Sequence, residues 1–101
     1  ALYHADYEPV IANKAGQPRT EIVTVCGKHC ESGDAVALDR PIQHPDIDDI
    51  LCVFGTGAYC HSMSSNYNGQ PRPGIVFVKD GQARLVTRRE TYDDLMACDV
   101  D

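Results

Sequence analysis

The sequence predicts a mainly β domain of the sandwich or Greek-key barrel kind, with one or two short helices. Three observations carry this. Short runs of β-favouring residues recur about every ten to fifteen residues between turn formers. Asp80-Gly81 joins two such runs with the pair that a type I′ hairpin turn requires. Helical start signals occur only at residues 58–63 and 89–98. The length of 101 residues corresponds to one small domain, which on size alone should bury roughly two-thirds of its unfolded surface.

Taken in order, the first strand is Glu21 to Cys26, where Ile22, Val23, Val25 and the flanking threonines are too β-branched to favour helix. Cys26 is expected to end that strand within the core. Ala35 to Leu38 and Ile50 to Phe54 read as further strands, and Asp48-Asp49 as a polar lead into the second of them. Gly55-Thr56-Gly57 lets the chain turn sharply, after which Ala58 to Met63 is expected to form a short helix ended by Ser64-Ser65-Asn66. Gly74 to Lys79 and Gln82 to Thr87 form the hairpin around Asp80-Gly81. A capping helix is expected within Arg89 to Cys98, with Thr91 as N-cap. Pro41 to Pro45 and Pro71-Arg72-Pro73 are expected to interrupt any regular element. There is no internal repeat and no interdomain linker.

Composition narrows the function classes. With 43% apolar and 24% charged residues the chain is globular rather than disordered. A net charge of −6, from 15 acidic against 9 basic residues, argues against a nucleic-acid partner, whose phosphates need clustered Lys and Arg. No run is long enough to span a membrane and no signal segment opens the chain, so a soluble, cytoplasmic protein without a membrane partner is expected. Five cysteines are an odd count and too sparse for a disulfide scaffold, which fits a reducing compartment. The chain opens on Ala rather than Met, so it is expected to be part of a longer one.

Three stretches are more polar and irregular than folding requires. Residues 26–34 gather two thiols, an imidazole, an ammonium and two carboxylates. As a metal site, Cys26, His29 and Cys30 supply three donors, and Cys60-His61 more, but the two-residue spacing of zinc ribbons is absent. As a nucleophile pair, His29 and Cys30 are adjacent and point to opposite faces of an extended chain. Cys30 beside Glu31 in a glycine-bounded loop suits acid–base work, since a thiol can act as a general acid when its surroundings tune it. A solvated turn is the other reading. The second stretch, Gly55 to Cys60, places the Tyr59 hydroxyl at an expected helix start, where free backbone donors suit a phosphate or carboxylate; the residues by themselves favour a half-buried packing tyrosine. The third, Ser62 to Gly69, is a hydroxyl and amide cluster that reverses the chain. Asp46, Asp48 and Asp49 lack the glycine and glutamate of a calcium loop.

Cys30-Glu31-Ser32-Gly33-Asp34, Gly57-Ala58-Tyr59 and Met63-Ser64-Ser65-Asn66-Tyr67-Asn68, followed by Pro71-Arg72-Pro73 and Thr87-Arg88-Arg89-Glu90-Thr91, run in one order along nearly the whole chain. In that order and spacing they resemble the C-terminal domain of the diaminopimelate decarboxylase family. The resemblance implies a β-sandwich or Greek-key barrel-like domain of a fold III pyridoxal-phosphate enzyme, residues 1–101 being its C-terminal part, with a separate N-terminal (β/α) barrel. It implies a bacterial enzyme of lysine biosynthesis that removes the D-centre carboxylate of meso-diaminopimelate to give L-lysine. In that family the cofactor, pyridoxal 5′-phosphate, accepts electrons after CO2 leaves and an acid then returns a proton.

Residue by residue, the resemblance implies that Cys30 is the acid, acting across the interface of a homodimer, and that Glu31 contacts substrate across the same interface. Tyr59 matches the tyrosine that reaches cofactor and substrate from its own subunit. Tyr3 matches a substrate-binding tyrosine in an Arg-Pro-x-Leu-Tyr motif whose first two residues would precede Ala1. Lys14, Lys28 and Lys79 match no part of the family's Schiff-base lysine motif, which the resemblance places in the barrel, so the chain alone is expected to be inactive. Asp48-Asp49 stands where the family commonly has Gly-Asp. Two rivals are weighed against this reading. One is a relative acting on ornithine, arginine or a carboxylated polyamine, which generally has Asp where Glu31 stands. The other is a small metal-binding module built on Cys26, His29, Cys30 and Cys60.

Overall fold

The computed structural model describes residues 5–101; Tyr3 lies outside the described residues. The chain forms two compact units that part between Cys60 and His61. Strands dominate both, as the sequence predicts: β1 (Pro9–Ile11), β2 (Glu21–Cys26), β3 (Ala35–Ile42), β4 (Leu51–Val53), β5 (Ile75–Lys79) and β6 (Gln82–Thr87), with one short helix, α1 (Tyr92–Leu95). They pair antiparallel as three two-stranded ladders, β1–β4, β2–β3 and β5–β6, and no closed barrel forms among the described residues.

In the first unit, β1 lies against β3 and the two ladders close on a small nucleus. Ile11 and Ile42 are each 2% exposed, and Pro9, Val10 and Ala37 complete the apolar set. Gln43, 1% exposed, is the polar member. A buried amide is stable only when its bonding groups are used. Its Oε1 accepts from the Ile11 amide at 3.1 Å and its Nε2 donates to the Gln17 carbonyl at 3.5 Å, joining β1 to the chain that leads into β2.

β2 matches its expected bounds, but Cys26 is exposed rather than part of the core. The strand alternates, and Ile22, Thr24 and Cys26 share the outward face. β3 runs further than expected, through Pro41, which pairs with Ile22. Proline is tolerated because β3 pairs only with β2 among the described residues, so a missing donor interrupts no central ladder. A bulge between Val23 and Val25 is absorbed at Asp39, whose φ is +51° and whose amide donates to Thr24 Oγ1 at 3.3 Å. β1 carries no strong sequence signal, being three residues that begin with proline.

The second unit contains no buried residue. Its β5–β6 hairpin has the expected turn, with φ of +51° at Asp80 and +73° at Gly81, and register Val76↔Leu85, Phe77↔Arg84, Val78↔Ala83. Gly74 is needed for another reason: a Cβ there would approach the Thr87 carbonyl to 2.9 Å. α1 is shorter than the expected segment but starts where expected. Thr91 Oγ1 accepts from the Asp94 amide at 3.2 Å and the Asp94 carboxylate accepts from the Thr91 amide at 2.8 Å, a reciprocal cap. Residues 58–63 do not form a helix. Tyr59 adopts φ of +70°, which a right-handed helix cannot contain, and Ser64 Oγ takes the His61 carbonyl at 2.6 Å, a side-chain bond that competes with helical pairing.

Candidate active site

The loop of residues 27–34 is the connection of the β2–β3 hairpin, whose last pair is Cys26↔Ala35. Cys30 and Glu31 therefore stand together at an exposed hairpin tip. The loop is polar yet tightly closed. The Gly27 amide donates to the Asp34 carbonyl at 2.8 Å, and the Asp34 amide to the Glu31 carbonyl at 3.0 Å. The Asp34 carboxylate accepts from the His29 amide at 2.8 Å. Glu31 Oε1 accepts from the Gly33 amide at 3.1 Å, which holds this carboxylate over its own turn. An open concavity of about 580 Å³ runs beside the loop, bounded by Tyr7, Ser32, Gly33 and the start of β3.

Tyr59 follows β4 in the same unit, on a separate turn, and is 74% exposed. The expected helix start is absent, so no helix dipole contributes there. A different signal takes its place. Among the described residues five non-glycine residues have positive φ; four are Asp or Asn, which accept this conformation readily, and the fifth is Tyr59. A bulky residue held in the left-handed region is a local strain of the kind that collects at functional sites. The turn is held behind it, where Tyr7 Oη and Cys60 Sγ are hydrogen-bonded at 3.2 Å. That bond, made chiefly at the neutral phenol, raises the Tyr7 pKa.

The third stretch lies in the second unit and is organised by Arg72, which the sequence places between two prolines and within the motifs that carry the resemblance, with no role of its own. Arg72 donates from Nε to Ser64 Oγ at 3.0 Å, from Nη2 to the Ser64 carbonyl at 3.0 Å and from Nη1 to Asn66 Oδ1 at 3.0 Å. Glu90 closes the network: Oε1 accepts from the Arg72 amide at 2.6 Å and from Asn66 Nδ2 at 2.8 Å. The Arg72 backbone amide, followed by the Asn66 side-chain amide, holds the Glu90 carboxyl below its ordinary pKa. The available signal was Pro71 and Pro73, which leave Arg72 as the only backbone donor of the three.

No cluster of three His, Cys, Asp or Glu side chains that could hold a metal occurs among the described residues, and all five cysteines are thiols. Lys14 is committed elsewhere, to Asp46 Oδ2 at 2.7 Å and Asp49 Oδ2 at 2.6 Å. Asp46 and Asp49 are thus partners of a lysine and stabilise the approach to β4.

Residues 1–57 match the family described as pyridoxal-dependent decarboxylase, C-terminal sheet domain. The diaminopimelate decarboxylase of Halalkalibacterium halodurans is 49% identical over 100 residues, covering 99% of this chain and 23% of that protein. That of Bacillus methanolicus is 52% identical over 90 residues, covering 89% and 21%. The crystal structure of diaminopimelate decarboxylase from M. jannaschii in co-complex with L-lysine superposes with a TM-score of 0.86 at 33% identity, covering 99% of this chain and 23% of that one. The chain spans less than a quarter of the length of these relatives.

Proposed function

Because the chain belongs to the pyridoxal-dependent decarboxylases, through their C-terminal sheet domain, we propose that it is the C-terminal domain of a diaminopimelate decarboxylase, converting meso-2,6-diaminopimelate to L-lysine and CO2. The observation that carries this is near-half identity to such an enzyme across 100 residues, Cys30, Glu31 and Tyr59 being present in the family's order. An N-terminal barrel domain would supply the Schiff-base lysine and most phosphate contacts.

The residues present suit one wall of a cofactor site. Tyr59 offers an exposed phenol on a turn where even a Cβ at Gly57 would meet no atom within 4 Å, so a phosphate-bearing ring can approach closely. When bound, pyridoxal phosphate withdraws the electron pair left on the α-carbon as CO2 departs. The Cys30 thiol gives its proton to that carbon, and the resulting thiolate takes one back from solvent. Glu31, its carboxylate steadied by the Gly33 amide, pairs with an ammonium of the substrate. Proton delivery needs a site closed to water, whereas Cys30 stands on an exposed tip. This supports a reading in which the tip is covered by a second subunit and acts in that subunit's site.

In the full-length enzyme, Cys30→Ala should lower kcat about 100-fold with cofactor affinity nearly unchanged; near-normal turnover would refute the assignment. The chain alone, mixed with pyridoxal phosphate and meso-diaminopimelate, should release no CO2. A substrate panel including ornithine and arginine tests the choice of substrate, since preference for either would overturn the diaminopimelate reading.

A further inference from the structure

We infer that Asp34 is a positioning residue for the proton donor, an inference that rests on the reading of Cys30 above. Three hydrogen bonds converge on this one residue and bracket Cys30 in the chain. On the preceding side, the His29 amide donates to the Asp34 carboxylate at 2.8 Å and the Gly27 amide to the Asp34 carbonyl at 2.8 Å. On the following side, the Asp34 amide donates to the Glu31 carbonyl at 3.0 Å. The peptide units on either side of the three-residue segment 29–31, with Cys30 at its centre, are therefore both tied to one anchor at the foot of β3. An unbraced loop of this length at a hairpin tip would sample many backbone conformations. The bond to the carboxylate is charge-assisted, the stronger kind.

Gly27 provides an independent view of the same brace. Its φ is not in the left-handed region, so conformational freedom does not explain the glycine. A Cβ at this position would overlap the Asp34 carboxylate. Glycine here makes room for the side chain that holds the loop. Moving the carboxylate, either by removing it or by crowding it from position 27, should release the His29 amide and let Cys30 wander from the position where its proton can be transferred. Misplacement by about 1 Å costs on the order of 100-fold in rate.

The test uses the full-length enzyme with Asp34→Ala, Asp34→Asn, Gly27→Ala and Cys30→Ala, alone and combined. Asp34→Ala and Gly27→Ala should each lower kcat about 30-fold with KM little changed. Asp34→Asn keeps an acceptor oxygen and should restore most of the rate. Adding Asp34→Ala to Cys30→Ala should cost almost nothing further, because a positioning residue has no effect without the group it positions. Independently of activity, backbone amide exchange in residues 27–31 should rise about tenfold in both loop variants while exchange across β2 and β3 stays unchanged. Unchanged loop exchange, an equal loss of kcat in the Cys30→Ala background, or a rise in exchange throughout the first unit would each overturn the inference. If Cys30→Ala proves harmless, the proposed function falls and this inference with it. If Cys30→Ala is damaging but Asp34→Ala is not, only the brace is refuted.

Discussion

Residues 5–60 close on aliphatic side chains, with Ile11 and Ile42 each 2% exposed, whereas residues 61–101 bury no residue and close on the guanidinium of Arg72. One unit is held by non-directional burial, which tolerates substitutions that conserve volume. The other depends on bonds with fixed angles, which fail when either partner is changed. The polar unit also includes the hydroxyl and amide stretch of residues 62–69, so its shape there is set by hydrogen-bond geometry rather than by packing.

The largest expected effect tests the aliphatic side. Ile42→Ala should destabilise the chain by about 2–5 kcal/mol, seen as a lowered denaturant midpoint and lost amide protection in β1 and β3; a loss below about 1 kcal/mol would show that the nucleus is not what holds this unit. Next is the polar side. Arg72→Ala should cost about 1–2 kcal/mol, a modest figure because the group is partly solvated, with new amide exchange confined to residues 61–73 and 87–91. Arg72→Lys should recover little, since an ammonium cannot reproduce the fork to Ser64 and Asn66.

The smallest effect is a difference in pH response. His44, hydrogen-bonded to Glu21 Oε1 at 2.5 Å and close to Asp46, has its pKa raised chiefly by Glu21. Its contribution is complete below the ordinary value of about 6.5 and is lost as pH rises through the raised native value. The first unit should therefore weaken slightly above neutrality, and His44→Gln should abolish that slope. In acid the slope has the opposite sign in both units. Asp49, held by Lys14 and Asn13 at about 2, and Asp94, held well below the carboxylate range by Arg88, contribute above their ordinary values. They lose that contribution as pH falls through the depressed ones. An acid-side slope of the other sign, followed by thermal unfolding against pH, would refute both pairings.

The sequence announced elements whose causes are local. Ile22, Val23 and Val25 made β2 readable to the residue, Asp80-Gly81 located the hairpin turn, and Thr91 located the start of α1. Elements with distant causes were missed or misread. β1 forms because Ile11 is buried and its amide meets Gln43, 32 residues away. Pro41 sits in a strand because β3 is an edge among the described residues, a fact of pairing that composition does not carry. The helix expected at 58–63 fails at Tyr59, whose φ no propensity reveals. At the candidate site, Cys30, Glu31 and Tyr59 could be singled out by chemical type. Asp34 and Arg72 could not, because their roles are defined by which amides and carbonyls they meet.

The β5–β6 hairpin bears on how the chain behaves when made alone. Ile75-Val76-Phe77-Val78 is a run of four apolar, strongly β-forming residues, with Val78 72% exposed and Leu85 across from Val76 63% exposed. A two-stranded ribbon of this kind has unpaired outer edges that can template cross-strand growth between copies. Lys79 and Asp80 stand at the end of the run, in the position of charged gatekeepers that discourage such stacking. Replacing those two charges with neutral residues should increase the chain's tendency to form fibrils or precipitate, read as turbidity or thioflavin binding against the unaltered chain.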